Sequence, residues 1–230
     1  MKKIVLIIIV FVAVQFIFSS CERENSSDVN QDRIYVMYEM VYDESTDITY
    51  ARTSFFFGSI VGTKLELADP SKIYCNDELL SFQSALAYYE KQYTGYIDTG
   101  NFKFTDTEGN VFTNLVNITK IELTQNIDTI IRGELFKLDF SGEPLASGEG
   151  LYAYIDGPTE NDNIELYQNT SGATSITISA NQTSRLSAGT NKLCLRRKIE
   201  IIPQEANSAG ASCAGVYQTK EINIEVAEMR

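Results

Sequence analysis

Four kinds of side chain in this 230-residue sequence could do chemistry, and each points to a different kind of site. Tyr88, Tyr89, Tyr93 and Tyr96 fall within nine residues. A phenol ring is flat and apolar with a hydroxyl handle, so such a cluster suits stacking against sugar rings or a peptide partner. Core packing also consumes tyrosines, and strand alternation would send Tyr88 and Tyr89 to opposite faces. Glu143 and Glu149 are close enough in sequence to form an acid and base pair, but carboxylates at turns are ordinarily solvated. The chain has no histidine, which removes Ser-His-Asp and Cys-His catalysis, His-ligated zinc and the usual proton shuttle near neutral pH. Asp106–Asn110 and residues 160–163 cluster oxygen ligands without the spacing of an EF-hand, and Asp156 and Asp162 could meet only across a loop. Gly142–Gly148 lacks the Lys-Ser/Thr ending of a phosphate loop. We therefore expect no catalytic residues, no metal and no cofactor.

The cysteines divide by position. Cys75 shares strand parity with Ile73 and reads as a small buried hydrophobe. Cys194 and Cys213 have the same side-chain parity if the last hairpin faces Leu193 and Leu195 inward, and a bridge would close a loop of about 20 residues worth roughly 3 kcal/mol. A turn centred near Ala209 would instead set Cys194 opposite a residue near Asn223. With Cys21 set apart, at least one thiol stays unpaired.

Cys21 follows Lys2, Lys3, an apolar run from Ile4 to Phe18 broken only at Gln15, and Ser19-Ser20. Charged, apolar and small-residue regions in that order are the anatomy of an export signal. The run is shorter than the ~20 apolar residues that span a bilayer core. Phe18-Ser19-Ser20-Cys21 resembles a bacterial lipobox, which implies cleavage before Cys21 and lipidation of its thiol. Residues 21–32, opening Glu22-Arg23-Glu24-Asn25, read as a flexible polar tether. Acidic residues just past the cysteine resemble the surface-export signal of Bacteroidota lipoproteins, although Arg23 interrupts them. The resemblance implies an outer-membrane location and leaves the face open.

The full chain carries a net charge of −12, and loss of Lys2 and Lys3 takes it to −14. Such a balance disfavours nucleic acid, whose binding depends on Lys and Arg replacing counterions. The basic Arg196-Arg197-Lys198 reads as solvated charge with one strand-end contact. Thirteen Tyr and 12 Phe among abundant Ile, Val and Thr indicate β-structure. Ile34–Tyr42 and Ile48–Phe57 read as an antiparallel pair, Asn76-Asp77 as a hairpin turn, and Asp106–Asn110 as a second hairpin with Gly109 supplying positive φ. Residues 79–93 fit a helix or strands, with strands preferred. Ile176, Ile178 and Ala180 face one way, Thr177 and Ser179 the other.

About 210 residues after the leader suit two units, divided at the polar patch 125–129. The expected organisation is a signal peptide over 1–20, the tether over 21–32, one β-sandwich over 33–124 and another over 130–230. Evenly spaced strands with the Gly142-Glu143-Pro144-Leu145 turn and the Leu186–Leu193 corner resemble an immunoglobulin-like domain, without the core Trp and flanking Cys pair of antibody domains. Asp128-Thr129-Ile130 resembles the Asp-Thr/Ser-apolar O-glycan acceptor of Bacteroidota, which would place a glycan on Thr129. The whole chain resembles the tethered β-sandwich lipoproteins of that phylum. This implies a membrane-anchored, non-catalytic binding or adhesion module for a polysaccharide or an outer-membrane protein, with a fimbrial or matrix subunit as the alternative.

Overall fold

The computed structural model describes residues 23–123, 127, 129–159 and 162–229. Cys21 and the apolar leader lie outside these, as do residues 124–126 and 128 of the expected boundary. The fold is an all-β sandwich, and strands are numbered in chain order.

The main sheet grows from the expected hairpin. β2 (Ile34–Asp43) and β3 (Ile48–Phe57) pair antiparallel along their full lengths, from Ile34 opposite Phe57 to Asp43 opposite Ile48. Along β2, buried and half-buried residues alternate without a break, the mark of a strand with one covered and one open face. β4 (Lys64–Glu66) and β8 (Tyr88–Thr94) take the two ends of β3. β1 (Arg23–Asn25) then joins β4, and β7 (Ser81–Gln83) joins β8. On its other side β2 pairs in parallel with β18 (Ala211–Gln218), and the sheet continues through β17 (Gly189–Ile201) and β14 (Glu149–Asp156) to β15 (Ile164–Gln168). The 13 residues of β17 accommodate β19 (Ile222–Ala227) along the first part and β18 along the second.

Two smaller sheets cover the inner face. One is β10 (Val111–Asn117), β9 (Thr99–Thr105), β5 (Lys72–Cys75) and β6 (Glu78–Leu79), in that order. The other is β11 (Ile121–Leu123), β13 (Phe136–Gly142) and β16 (Ser175–Ile178). Tyr38, Met40, Phe55 and Phe102 under the first belong to the same buried cluster as Leu138, Leu151, Ile155 and Ile178 under the second. The first cover sheet approaches closely at Gly215 of β18, where any Cβ would overlap the Asn117 carbonyl. Only glycine fits there.

The turn chemistry is as expected. Asn76 and Asp77 both have positive φ, +50° and +63°, as a two-residue turn of this hand requires. In the second hairpin Gly109 has φ +84°, and Asp106 Oδ1 accepts from the Glu108 and Asn110 N–H groups, each at 2.9 Å. Residues 79–93 are strands and turn, with no helix. Ile176 and Ile178 are buried, but the row stops there: Ser179 and Gln182 form a capping box that starts a one-turn helix at Ala180.

Three expectations are corrected. From Arg23 onward the tether is packed: Gln31 Nε2 donates to the Ser26 and Val29 carbonyls at 2.6 and 3.0 Å, and the Ala68 N–H donates to Ser26 Oγ at 2.9 Å. Buried polar groups make this seam, which a search for apolar residues overlooks. Cys194 and Cys213 are free thiols. Cys213 stands opposite Ile201 and Cys194 opposite Tyr154, so the two lie seven positions apart along β17 and on opposite faces of the sheet. Thirdly, strands of the two expected halves share one sheet, because the β2–β18 ladder runs for eight residue pairs across the expected division. Cys75 does lie buried beside Ile73, and burial pushes its thiol up to about 12.

Candidate functional site

The outer face of the main sheet has no covering layer among the described residues. Register carries one face continuously across the strands: Tyr167 lies opposite Tyr152, Tyr152 opposite Arg196, Arg196 opposite Gln218 and Gln218 opposite Asp43. Because side chains alternate, everything in this row points away from the core.

Three tyrosines form a platform at the β14–β15 end. Tyr152 and Tyr154 project from the same face of β14 with rings nearly parallel, 13° apart, at 6.3 Å between centroids. Tyr167 on β15 leans against Tyr152 at 4.7 Å. Its ring lies over Gly150, where a Cβ would come within 2.7–3.1 Å of ring atoms, so the glycine is what lets the ring settle. Tyr167 remains 55% exposed and the other two half-exposed. Beside them is a depression of about 250 Å³, lined by Tyr152, Tyr167, Asn169, Lys198 and Glu200 among others. Flat apolar rings bordered by polar donors and acceptors can stack on a sugar ring while bonding its hydroxyls. Lys198 and Glu200 are themselves paired at 2.8 Å.

At the other end of the face Arg52 is enclosed. Its guanidinium lies 4.6 Å from the Tyr50 ring centre and 5.5 Å from that of Tyr88, and its Nε bonds Glu90 at 2.7 Å. Gln92 and Tyr88 also donate to Glu90, at 2.7 and 3.2 Å. Burial pushes the Glu90 carboxyl up, yet these donors together hold it below the usual range. The cluster satisfies itself.

The four tyrosines singled out in sequence do not form a platform. Tyr88 is on the outer face against Arg52. Tyr89 is buried between Phe55 and Phe82, its hydroxyl accepting the Leu67 N–H at 2.7 Å. Tyr93 turns inward and donates to the Cys75 carbonyl at 2.7 Å, and Tyr96 packs back on Tyr42 and Tyr217 while donating to the Ile118 carbonyl at 2.6 Å. Tyr89 and Tyr93 serve the core, Tyr88 the outer face, and Tyr96 lies partly exposed at 38% against Tyr42 and Tyr217. Tyr152 and Tyr154 were visible only as alternate residues of a strand, and the register that brings in Tyr167 is not written locally. Thr129 is exposed just before β12 (Ile130–Ile131), while Asp128 lies outside the described residues.

Glu149 and Arg197 overturn the solvated reading of both turn carboxylate and basic run. Arg197 falls on the inner face of β17 and pairs with Glu149, both side chains 2% exposed. The guanidinium also donates to the Glu143 and Pro144 carbonyls at 2.6 and 3.1 Å. Glu149 further accepts from Thr119 Oγ1 at 2.8 Å and the Ala146 N–H at 2.7 Å, so the carboxylate is held by protein donors on both oxygens. The Glu143 side chain is exposed and no partner to it. Among the described residues, no group of three or more carboxylates and thiols is placed to hold a metal.

No protein family matches the chain, and no curated protein is similar to it. Solved structures similar to it include a 1.5-MDa bacterial ice-binding adhesin, with 10% identity, a TM-score of 0.26, and 85% of this chain aligned to 66% of that one. A second is SGBP-B of the Bacteroides ovatus mixed-linkage glucan utilization locus, in complex with a mixed-linkage heptasaccharide, with 14% identity, a TM-score of 0.22, and 90% of this chain aligned to 65% of that one. A third is the pair of tandem V-type regions of the chitin-binding protein VCBP3, with 8% identity, a TM-score of 0.20, and 81% of this chain aligned to 99% of that one. The chain spans about two thirds of the length of the first two.

Proposed function

We propose that this protein is a non-catalytic glycan-binding module of the cell envelope, held to the outer membrane by lipid on Cys21. The observation that carries the binding reading is the Tyr152–Tyr154–Tyr167 platform on an uncovered sheet face, beside a polar depression. Each stacked ring would contribute on the order of 1 kcal/mol. Tyr152→Ala, Tyr154→Ala and Tyr167→Ala should each weaken binding on a glycan array by about fivefold or more, with melting temperatures nearly unchanged. A wild type that binds no glycan would remove the reading.

The anchoring part rests on the order of Lys2-Lys3, the apolar run and Ser19-Ser20-Cys21. Firm anchoring takes more than one acyl chain. Mass spectrometry of the membrane fraction should find an N-terminal, acylated Cys21. An intact Met1 there would contradict it. A structural subunit is the second reading, favoured by β15, which among the described residues pairs only with β14 and so offers a sheet edge to which a strand of another chain could add.

A further inference from the structure

Arg52 and Arg196 both lie on the open face and are used differently. Arg52 spends its charge internally, on Glu90 and on the rings of Tyr50 and Tyr88. Arg196 lies opposite Tyr152 on one side and Gln218 on the other, half-buried, and its guanidinium makes no hydrogen bond or ion pair with any described residue. The adjacent cation, Lys198, is already taken by Glu200. Among the described residues Arg196 is therefore an unpaired guanidinium, and it stands at the border of the tyrosine platform.

We propose that the ligand of this platform is an acidic saccharide whose carboxylate or sulfate group is received by Arg196. This rests on the glycan-binding reading and narrows it to a class. A guanidinium fork matches the paired oxygens of a carboxylate or sulfate, and such charge-assisted bonds are stronger than those between neutral groups. Half-buried between Tyr152 and Gln218, the residue is already partly desolvated, which strengthens its attraction for an anion. Its influence reaches the neighbouring phenol: burial pushes the Tyr154 hydroxyl up, and Arg196 opposes that rise. Nearby carboxylates set a further condition. Glu165 lies opposite Tyr154 and Asp43 opposite Gln218, and the chain as a whole is strongly acidic. A polymer charged at every unit would be repelled by them, so the fitting ligand carries isolated acidic units among neutral sugars.

The test is a glycan array holding neutral oligosaccharides, matched oligosaccharides with one uronate or one sulfate per repeat, and fully charged polygalacturonate. The sparsely acidic members should be bound best, and the uronate and sulfate arms tell the two anion sources apart. Arg196→Gln should weaken them ten- to a hundredfold and flatten their salt dependence, while the melting temperature stays unchanged because Arg196 bonds none of the described residues. Arg196→Lys keeps the charge without the fork, and should recover part of the loss. Strongest binding to neutral members, unaltered in Arg196→Gln, would overturn the acidic-ligand proposal and leave the platform standing. Binding to no member would sink the platform and this proposal with it.

Discussion

At the scale of single residues, the Glu149–Arg197 pair shows how far position outweighs residue type. Three basic residues in a row look solvated, yet alternation along β17 buries the middle one and leaves the outer two outside. A buried guanidinium without its carboxylate would be costly, so breaking the pair from either side should lower stability by about 3–5 kcal/mol. Burial alone would raise the Glu149 carboxyl, but Arg197, the Ala146 N–H and Thr119 bring it below the ordinary value. Its folded pKa is therefore below the unfolded one. The stabilisation is fully present above the ordinary glutamate value, and is lost as pH falls through the depressed value. Urea denaturation should show Glu149→Gln strongly destabilised at pH 7, with the gap to wild type narrowing as pH falls below the ordinary glutamate value. The double change Glu149→Leu with Arg197→Met, which leaves no orphaned charge, should recover most of the pH 7 loss. A Glu149→Gln protein within about 0.5 kcal/mol of wild type at pH 7 would show that the pair contributes nothing.

At the scale of elements, what could be read in the sequence was local and what could not was distant. β2 and β3, the Asn76-Asp77 turn and the Gly109 hairpin declare themselves through alternation and turn chemistry within ten residues or so. β18 does not, because Ala211-Ser212-Cys213-Ala214-Gly215 has few of the branched and aromatic side chains that mark strands. Those small residues are there for a reason: Gly215 admits the backbone of β10 at its end, and a bulkier residue would hold the cover sheet away. Missing β18 meant missing the ladder to β2, and the β14–β15 register that turns scattered tyrosines into a platform is just as unwritten locally. The predicted tyrosine cluster failed by the same route. Closeness in sequence gathered Tyr88, Tyr89, Tyr93 and Tyr96, whereas the sheet splits them between faces and instead assembles Tyr152, Tyr154 and Tyr167 from neighbouring strands.

At the scale of the molecule, the question is whether the sequence halves can stand apart. Composition and length suggest two units, but β2 and β18 exchange a parallel ladder from Val36–Ala211 to Asp43–Gln218, and β10 of the first half lies against β18 of the second. Separation would strip both strands of a partner, expose two sheet edges and open a core cluster that runs continuously through both halves. Marginal stability leaves little margin for opening that cluster. The chain should therefore unfold in one transition, with calorimetric and van't Hoff enthalpies equal. A protease cut engineered into residues 124–128 should leave two pieces that elute together in native gel filtration, and neither piece expressed alone should show cooperative melting. Two separate transitions, or halves that part after cutting and each keep a native-like near-ultraviolet spectrum, would mean that the β2–β18 ladder is only a contact between independent domains.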